Sequence, residues 1–293
     1  MNLLASPTLR LFIGAALISL SPVWVRLVDV APSTSGFYRV VFGGLALVIY
    51  LVATRRRLHM TKHVWILLFL ASFFLVLDLW FWHRSIIYIG PGLSTLLANF
   101  QVFIMMVVGI VFLGQMPRPT QMIAVPLALL GLTLIVGFDW SALSPDYKLG
   151  IVLGFLTAVA YAAYLLTLRF IRERSTFRVP TREMAVVSVM TAAMMAVTVM
   201  VEGESLSIPT YADLGWLVAY GVLSHCLGWL FIASSLSEVS TVEAGLALLL
   251  QPTLSFVWDV LFFNRAMTAI ELIGAGIALT AIYLGSRPEL KQV

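Results

Sequence analysis

Two ionisable residues lie inside long apolar runs, and each is followed by a tryptophan four positions later. Asp78 precedes Trp82 in the segment DLWFW, and His225 precedes Trp229 in HCLGW, 147 positions further along the 293-residue chain. A carboxylate binds cationic groups, and an imidazole exchanges a proton near neutral pH. A charge inside hydrocarbon is costly unless it faces protein or water. Both segments therefore predict polar groups beside an aromatic ring in a water-filled cavity.

The same four residues also have structural interpretations. Asp78 would be satisfied by a contact between helices, for which Arg39 is a candidate, and tryptophans near helix ends commonly anchor at the membrane interface. The i, i+4 spacing places each tryptophan one turn from its charge on the same face. This favours Trp82 and Trp229 as aromatic rims at opposite ends of one pathway. If Asp78 and His225 interact, they titrate as a unit.

Amide side chains provide further candidates. Gln251 shares one helical face with Ser255 and Trp258, and Gln101 is its equivalent in a repeated segment. Asn99 lies about 200° around a regular helix from Gln101. Since both cannot fully face one cavity, Gln101 is preferred.

Tyrosines form a stripe further along the chain. Thr157, Tyr161, Tyr164 and Leu168 follow helical spacing, and Trp24 falls opposite Tyr164 in the repeat. Such a stripe is typical of either core packing or a cavity wall. Outside these candidates, we expect His83 at the outer interface, and Asp259 and Glu271 in contact with water.

The composition indicates the elements that must position these residues. Hydrophobic residues make up 61% of the chain and charged residues 11%, far below the charge content of soluble domains. About 20 apolar residues cross the hydrocarbon as a helix. The sequence predicts an all-α integral membrane protein with ten spans: Leu9–Val28, Gly36–Ala53, Val64–Trp82, Leu93–Leu113, Gln121–Phe138, Leu149–Phe170, Met184–Val201, Leu214–Ala233, Val242–Phe262 and Ala269–Gly285.

The positions of the basic residues indicate how the chain is oriented in the membrane and do not indicate nucleic-acid binding. Most of the 18 Lys and Arg residues fall in the loops on the N-terminal side of the membrane. The excess of positive charge inside predicts that both termini are cytoplasmic. The single cysteine, Cys226, excludes an internal disulfide, and no nucleotide-binding or metalloprotease motif occurs. We therefore expect no cofactor and no metal.

The two halves of the chain are similar. The segment Ser94–Gln115 aligns without gaps with Ala244–Arg265. Because each half holds five spans, the second half enters from the opposite side. The sequence predicts two inverted five-helix repeats, residues 1–148 and 149–293, around a central cavity in which a substrate binds near the midplane. Gly150, Gly154, Ala158 and Ala162 predict close helix packing inside the monomer, and prolines at 22, 126 and 252 predict bends.

Three sequence features carry a resemblance to a known family. These are SPVWVRLVDVAP in the first span, Arg39 within the second span, and the repeated segments ending FLGQMPRPTQ and FFNRAMTAIE. The chain resembles the ten-helix EamA-type metabolite exporters of the drug/metabolite transporter superfamily. It departs from the family at Gln115 and Arg265, where glutamate is frequent, and at Val102, where proline is frequent. More loosely, it is similar to aromatic amino-acid exporters of bacterial inner membranes.

Three functions remain open at this point. The first is secondary transport that exports small metabolites, with amino acids expected, across the bacterial inner membrane by alternating access. The second is efflux of cationic or aromatic drugs, with Asp78 as counter-charge. The third is an intramembrane enzyme that uses Asp78 and His225; the repeat argues against it, since alternating access needs two matching halves. The expected partners are a small-molecule substrate and membrane lipid, and the chain is expected to be a monomer or weak homodimer.

Overall fold

A computed structural model describes residues 6–55, 60–113, 119–136, 141, 143–174, 180–235 and 250–286. These ranges hold helices and no strand. In chain order the helices are α1 (Pro7–Ser19), α2 (Ser21–Leu27), α3 (Pro32–Ala53), α4 (Lys62–Ile89), α5 (Pro91–Ala98), α6 (Gln101–Leu113), α7 (Pro119–Val136), α8 (Pro145–Arg174), α9 (Thr181–Glu202), α10 (Tyr211–Ala219), a π-helix (Tyr220–Gly228), α11 (Trp229–Ser235), α12 (Leu250–Phe263) and α13 (Ala269–Ser286).

Prolines mark where many of these helices begin. The first residues of α1, α3, α5, α7 and α8 are Pro7, Pro32, Pro91, Pro119 and Pro145. The first N–H groups of a helix have no partner within it, so proline is tolerated there, and its fixed φ suits the first turn. The loop prolines thus set the start of these five helices.

In the part of the chain that the structure describes, six helices are long and apolar enough to cross a membrane: Pro7–Leu27, Pro32–Ala53, Lys62–Ile89, Pro145–Leu168, Thr181–Glu202 and Tyr211–Ile232. Four more apolar helices are shorter within the described ranges: Pro91–Met105, Met122–Ile135, Leu250–Phe263 and Ala269–Ala281. Large apolar side chains such as Phe112 and Val201 are exposed, as expected of surfaces that face lipid. The all-α membrane fold is confirmed.

Within the described residues, three predicted spans are not continuous α-helices; residues 242–249, the start of the ninth predicted span, lie outside them. The first is divided at Leu20, because Pro22 in the first turn of α2 lacks the N–H that would continue the ladder. The fourth is interrupted at Asn99 and Phe100, between α5 and α6. The eighth contains the π-helix Tyr220–Gly228. Only the first interruption was predicted, since the other two contain no proline.

The contacts between helices repeat in the manner of two related halves. Equivalent helices pack on each other: α3 on α9, α5 on α12, and α7 on α13. The contact of α4 with α8 has its counterpart in the contact of α1 with the π-helix and α11. A twofold relation between five-helix halves requires both patterns. The inverted repeat is therefore supported by packing as well as by sequence.

Helix α8 is packed closely against the first half. A Cβ atom added to Gly150 would lie 2.6 Å from Ile89, and one on Gly154 would lie 2.6 Å from Leu97. Glycine is needed because any larger residue would push these helices apart. The small-residue face therefore packs inside the monomer, as predicted. The predicted boundary between residues 148 and 149 falls in the first turn of α8, which begins at Pro145.

Candidate functional site

A cavity of about 80 Å³ lies between helices of the two halves. Seven of the ten predicted site residues line it: Asp78, Trp82, Tyr161, Tyr164, His225, Trp229 and Gln251. The first two come from α4, the tyrosines from α8, and the others from the π-helix, α11 and α12. Residues separated by as many as 173 positions therefore share one wall, because the two repeats face each other.

Two predicted tryptophans lie outside the lining. The indole nitrogen of Trp24 donates to Ser224 Oγ at 3.2 Å, and its ring stacks on Trp216 with the centroids 5.6 Å apart. The indole nitrogen of Trp258 donates to Ser19 Oγ at 2.9 Å. Ser19 itself lines the cavity. Both tryptophans thus tie helices together behind the wall.

The preference for Gln101 over Asn99 is reversed in the structure. Asn99 lines the cavity and Gln101 does not. The Gln101 amide lies beside the Tyr161 hydroxyl instead. The prediction assumed a regular helix through both residues, whereas α5 ends at Ala98 and α6 begins at Gln101. The interruption changes which side chains share a face.

Arg39 is a lining residue that was missing from the predicted site. It is 8% exposed on α3 and faces the cavity. Its Nη1 donates to the Tyr220 hydroxyl at 3.0 Å. Its guanidinium carbon lies 5.0 Å from the Tyr220 ring centroid and 5.7 Å from that of Trp82. The available signal was the same one that identified Asp78, a charge within an apolar span.

Asp78 is half-buried and faces the same cavity. No hydrogen bond or ion pair joins its carboxylate to another described residue. Arg39 acts on it electrostatically, yet the hydrogen bond that the structure shows for Arg39 goes to Tyr220. A direct contact with Arg39 therefore does not explain why a carboxylate lies at position 78. Instead, two residues of opposite charge line the same cavity.

His225 is held by a serine on α9. Its Nε2 lies 2.9 Å from Ser188 Oγ, and the Ser188 hydroxyl donates to the Met184 carbonyl at 2.7 Å. Ser188 uses its hydrogen in that bond, so Nε2 of His225 donates to it and Nδ1 carries the lone pair. That buried Nδ1 has no partner among the described residues. No hydrogen bond or ion pair within those residues joins His225 to Asp78.

The sequence suggested that His83 lies at the outer interface, but the structure places it inside the bundle. It is fully buried, with Nδ1 2.7 Å from the Leu79 carbonyl and Nε2 3.2 Å from the Tyr220 hydroxyl. Tyr220 is fully buried as well. The prediction placed His83 at the outside because it lies near the end of the apolar run. Helix α4 continues to Ile89 and carries His83 within the bundle.

The π-helix packs on α3 through two glycines. A Cβ atom on Gly43 would lie 2.6 Å from His225 Cδ2, and one on Gly221 would lie 2.8 Å from Gly43 N. These distances leave no room for a side chain at either position. The close approach brings Tyr220 and His225 to α3, where Arg39 lies. π-helical turns are rare in proteins overall, but those that occur are frequently found at functional sites.

The sequence profile of the EamA-like transporter family matches residues 6–137 and 148–287. The chain belongs to the EamA-like transporter family. A solved structure titled only "Crystal structure of protein" superimposes with a TM-score of 0.67 over 96% of this chain and 98% of that chain, at 19% identity. That likeness shows a shared fold. A search of curated proteins finds no match.

In this EamA-like transporter, salt bridges tie the helices at one end of the bundle. Arg84 Nη2 lies 2.8 Å from Glu202 and 3.6 Å from Glu204. The Glu204 carboxylate accepts from the backbone N–H and the hydroxyl of Thr34. These contacts connect the start of α3, the end of α4 and the end of α9.

A second cluster at the same end holds α5, α12 and α13. Arg265 Nη1 lies 3.2 Å from Asp259, and Arg265 Nη2 lies 3.9 Å from Glu271. Asp259 is 3% exposed and accepts from the Gly92 N–H at 3.0 Å. The expectation that Asp259 is hydrated is wrong, because it caps α5. Glu271 is partly buried beside Arg265.

Proposed function

We propose that this EamA-like transporter exports small zwitterionic metabolites, amino acids above all, across the bacterial inner membrane by alternating access. The proposal rests on one observation: Arg39 and Asp78 face the same cavity without forming an ion pair with each other. In the low-dielectric interior, an unpaired charge is costly. A substrate that carries both an ammonium and a carboxylate would neutralise both residues at once.

The rest of the lining supports a substrate with an apolar body. Tyr161 and Tyr164 stack with their ring centroids 6.4 Å apart, and Trp82 and Trp229 border the same space. Asn99 and Gln251 add neutral hydrogen-bonding groups. A few convergent polar groups among aromatic rings are typical of small-molecule sites.

The size of the cavity supports alternating access. About 80 Å³ has room for a few water molecules and is smaller than the roughly 300–1,000 Å³ of ligand pockets. Substrate entry therefore requires helices to move apart. The interruptions at Leu20, at Asn99 and in the π-helix provide places where the lining helices bend.

Efflux of cationic drugs is the second candidate, and Arg39 argues against it. A lone cation beside Asp78 would leave a net positive charge in the cavity, because Arg39 contributes one already. The repulsion would be only weakly screened, because few water molecules fit in the cavity. The third candidate, catalysis by Asp78 with His225, is disfavoured because no hydrogen bond or ion pair among the described residues joins the two side chains, although both line the cavity.

Counterflow in proteoliposomes tests the proposal with three compounds that share one ring. Phenylalanine carries both charges, phenethylamine carries only the ammonium, and 3-phenylpropanoate carries only the carboxylate. We expect protein-dependent exchange of phenylalanine and of related amino acids, with little exchange of the other two. If the protein exchanges phenethylamine but does not exchange phenylalanine, the result would establish cation efflux instead. If it exchanges no member of a panel of amino acids, the proposal would be contradicted.

A further inference from the structure

Four groups form a directed chain of hydrogen bonds behind the cavity. Arg39 Nη1 lies 3.0 Å from the Tyr220 oxygen, Tyr220 lies 3.2 Å from His83 Nε2, and His83 Nδ1 lies 2.7 Å from the Leu79 carbonyl. A carbonyl only accepts, so Nδ1 donates and carries the proton. A guanidinium only donates, so Tyr220 accepts from Arg39 and directs its own hydroxyl to Nε2.

The direction of these bonds determines the state of His83. With Nδ1 as donor and Nε2 as acceptor, the imidazole is neutral and in one tautomer. A second proton on Nε2 would remove the acceptor for Tyr220 and add a positive charge near Arg39 and Arg84. His83 is fully buried, so no bulk water would compensate for that charge.

The chain also limits where the guanidinium of Arg39 points. One edge is held by Tyr220, whose ring lies 5.0 Å away, and Trp82 lies 5.7 Å away on the cavity side. Arginine has five N–H donors, and most of them are not used by the bond to Tyr220. Held in this way, the planar group presents donors in the fork geometry that matches a carboxylate.

We infer that Arg39 is the carboxylate subsite of the cavity and that Tyr220 and His83 are its positioning residues. The inference rests on the proposed zwitterionic substrate and names which end of it binds where. His83 acts as a neutral acceptor at the end of the chain and does not carry protons for transport. The substrate class recognised here is an α-carboxylate, with the ammonium left for Asp78.

Competition for phenylalanine counterflow tests the subsite. The competitors are phenylalanine and phenylalaninamide, which keeps the ammonium and the ring but lacks the carboxylate. Wild type should prefer phenylalanine. Tyr220→Phe and His83→Leu should lower that preference by about five- to tenfold, as expected for one lost hydrogen bond, with little change for the amide. His83→Gln, whose carbonyl can accept from Tyr220, should restore most of it.

Matched controls remove the same groups elsewhere. Tyr147→Phe deletes a hydroxyl that bonds to Arg265, and His63→Gln changes an exposed histidine. Neither should alter the preference. An unchanged preference in Tyr220→Phe would overturn the subsite while phenylalanine transport, and with it the proposed function, stands. If wild type moves no amino acid, both fail.

Imidazole ¹⁵N NMR provides a measurement that does not depend on transport. The resonances that disappear in His83→Gln belong to His83. They should show a neutral ring protonated at Nδ1, with the Nε2 signal shifting in Tyr220→Phe. A ring that is protonated on both nitrogens near neutral pH would overturn the inference even in protein that transports phenylalanine.

Discussion

Arg39 and Asp78 border one cavity, but Arg39 donates its hydrogen bond to Tyr220 and leaves Asp78 without a protein donor among the described residues. A closed ion pair would satisfy both charges and exclude a ligand. The observed arrangement leaves the Asp78 carboxylate as an acceptor, and several N–H groups of Arg39 as donors, for a bound ligand. A binding cavity requires such a relationship, whereas a purely structural contact between α3 and α4 would pair the two charges with each other.

Asp78→Asn should weaken binding of the substrate ammonium while the fold is kept, because the amide has the same shape and no charge. A charge-assisted hydrogen bond contributes roughly 1.5–3 kcal/mol, so the KM for phenylalanine counterflow should rise at least about tenfold. Asp146→Asn, which changes an exposed carboxylate at the start of α8, serves as the control. Equal KM values in the two variants would remove Asp78 from the site.

A pH gradient across proteoliposomes should drive accumulation of substrate if Asp78 couples protons to transport. In that case Asp78→Asn should abolish accumulation and leave counterflow exchange measurable, because exchange needs no net proton movement. The measurement is radiolabelled uptake with the gradient present and collapsed. Wild-type transport that ignores the gradient would leave Asp78 with a role in binding alone and make export uniport-like.

Replacing Trp82 or Tyr164 by alanine should weaken transport while folded protein remains in the membrane. Both rings line the cavity, although both are also 7% exposed and packed against core residues. Size-exclusion profiles in detergent report folding, and counterflow per folded molecule reports function. Trp82→Phe and Tyr164→Phe keep most of the packing. Loss of folding with full activity in the remaining protein would assign that ring to the core.

Gly43→Ala should displace the π-helix from α3. The added methyl would lie 2.6 Å from His225 Cδ2 and 2.7 Å from the Gly221 carbonyl, and overpacking of this kind costs about 1–3 kcal/mol. A lower Tm in detergent and reduced transport are expected together. Gly215→Ala in the same span as Gly221 adds its methyl where no atom lies within 4 Å and should leave both unchanged. Identical behaviour of the two variants would contradict the close approach.

Fusion reporters test the predicted orientation. Reporters placed after Arg57, after Arg174 and at the C-terminus should report the cytoplasm, and those near Asp146 and Glu204 the outside. The expectation follows from the excess of basic residues in the loops on one side. A C-terminus on the opposite side would contradict both the ten spans and the inverted arrangement of the halves.

The composition of the sequence and the spacing of its residues alone determined the helical spans, the two inverted halves and the positions of the charges within the spans. Apolar runs of about 20 residues leave a helix as the only stable form in lipid, and two sets of five such runs dictate inverted halves. A charge within those runs must face protein or water, and this requirement identifies Asp78 and His225 from their positions in the sequence. The tryptophans one turn away followed from helical periodicity.

Tertiary structure decided what periodicity could not. The interruption after Ala98 brought Asn99 to the cavity in place of Gln101, since a regular helix was assumed through both. The π-helix placed Tyr220 against Arg39 and His83, residues 181 and 137 positions away in the chain. Which buried charge meets which partner depends on the packing of distant helices. Local sequence carries no record of that packing, because each helix satisfies its own backbone whichever neighbour it meets.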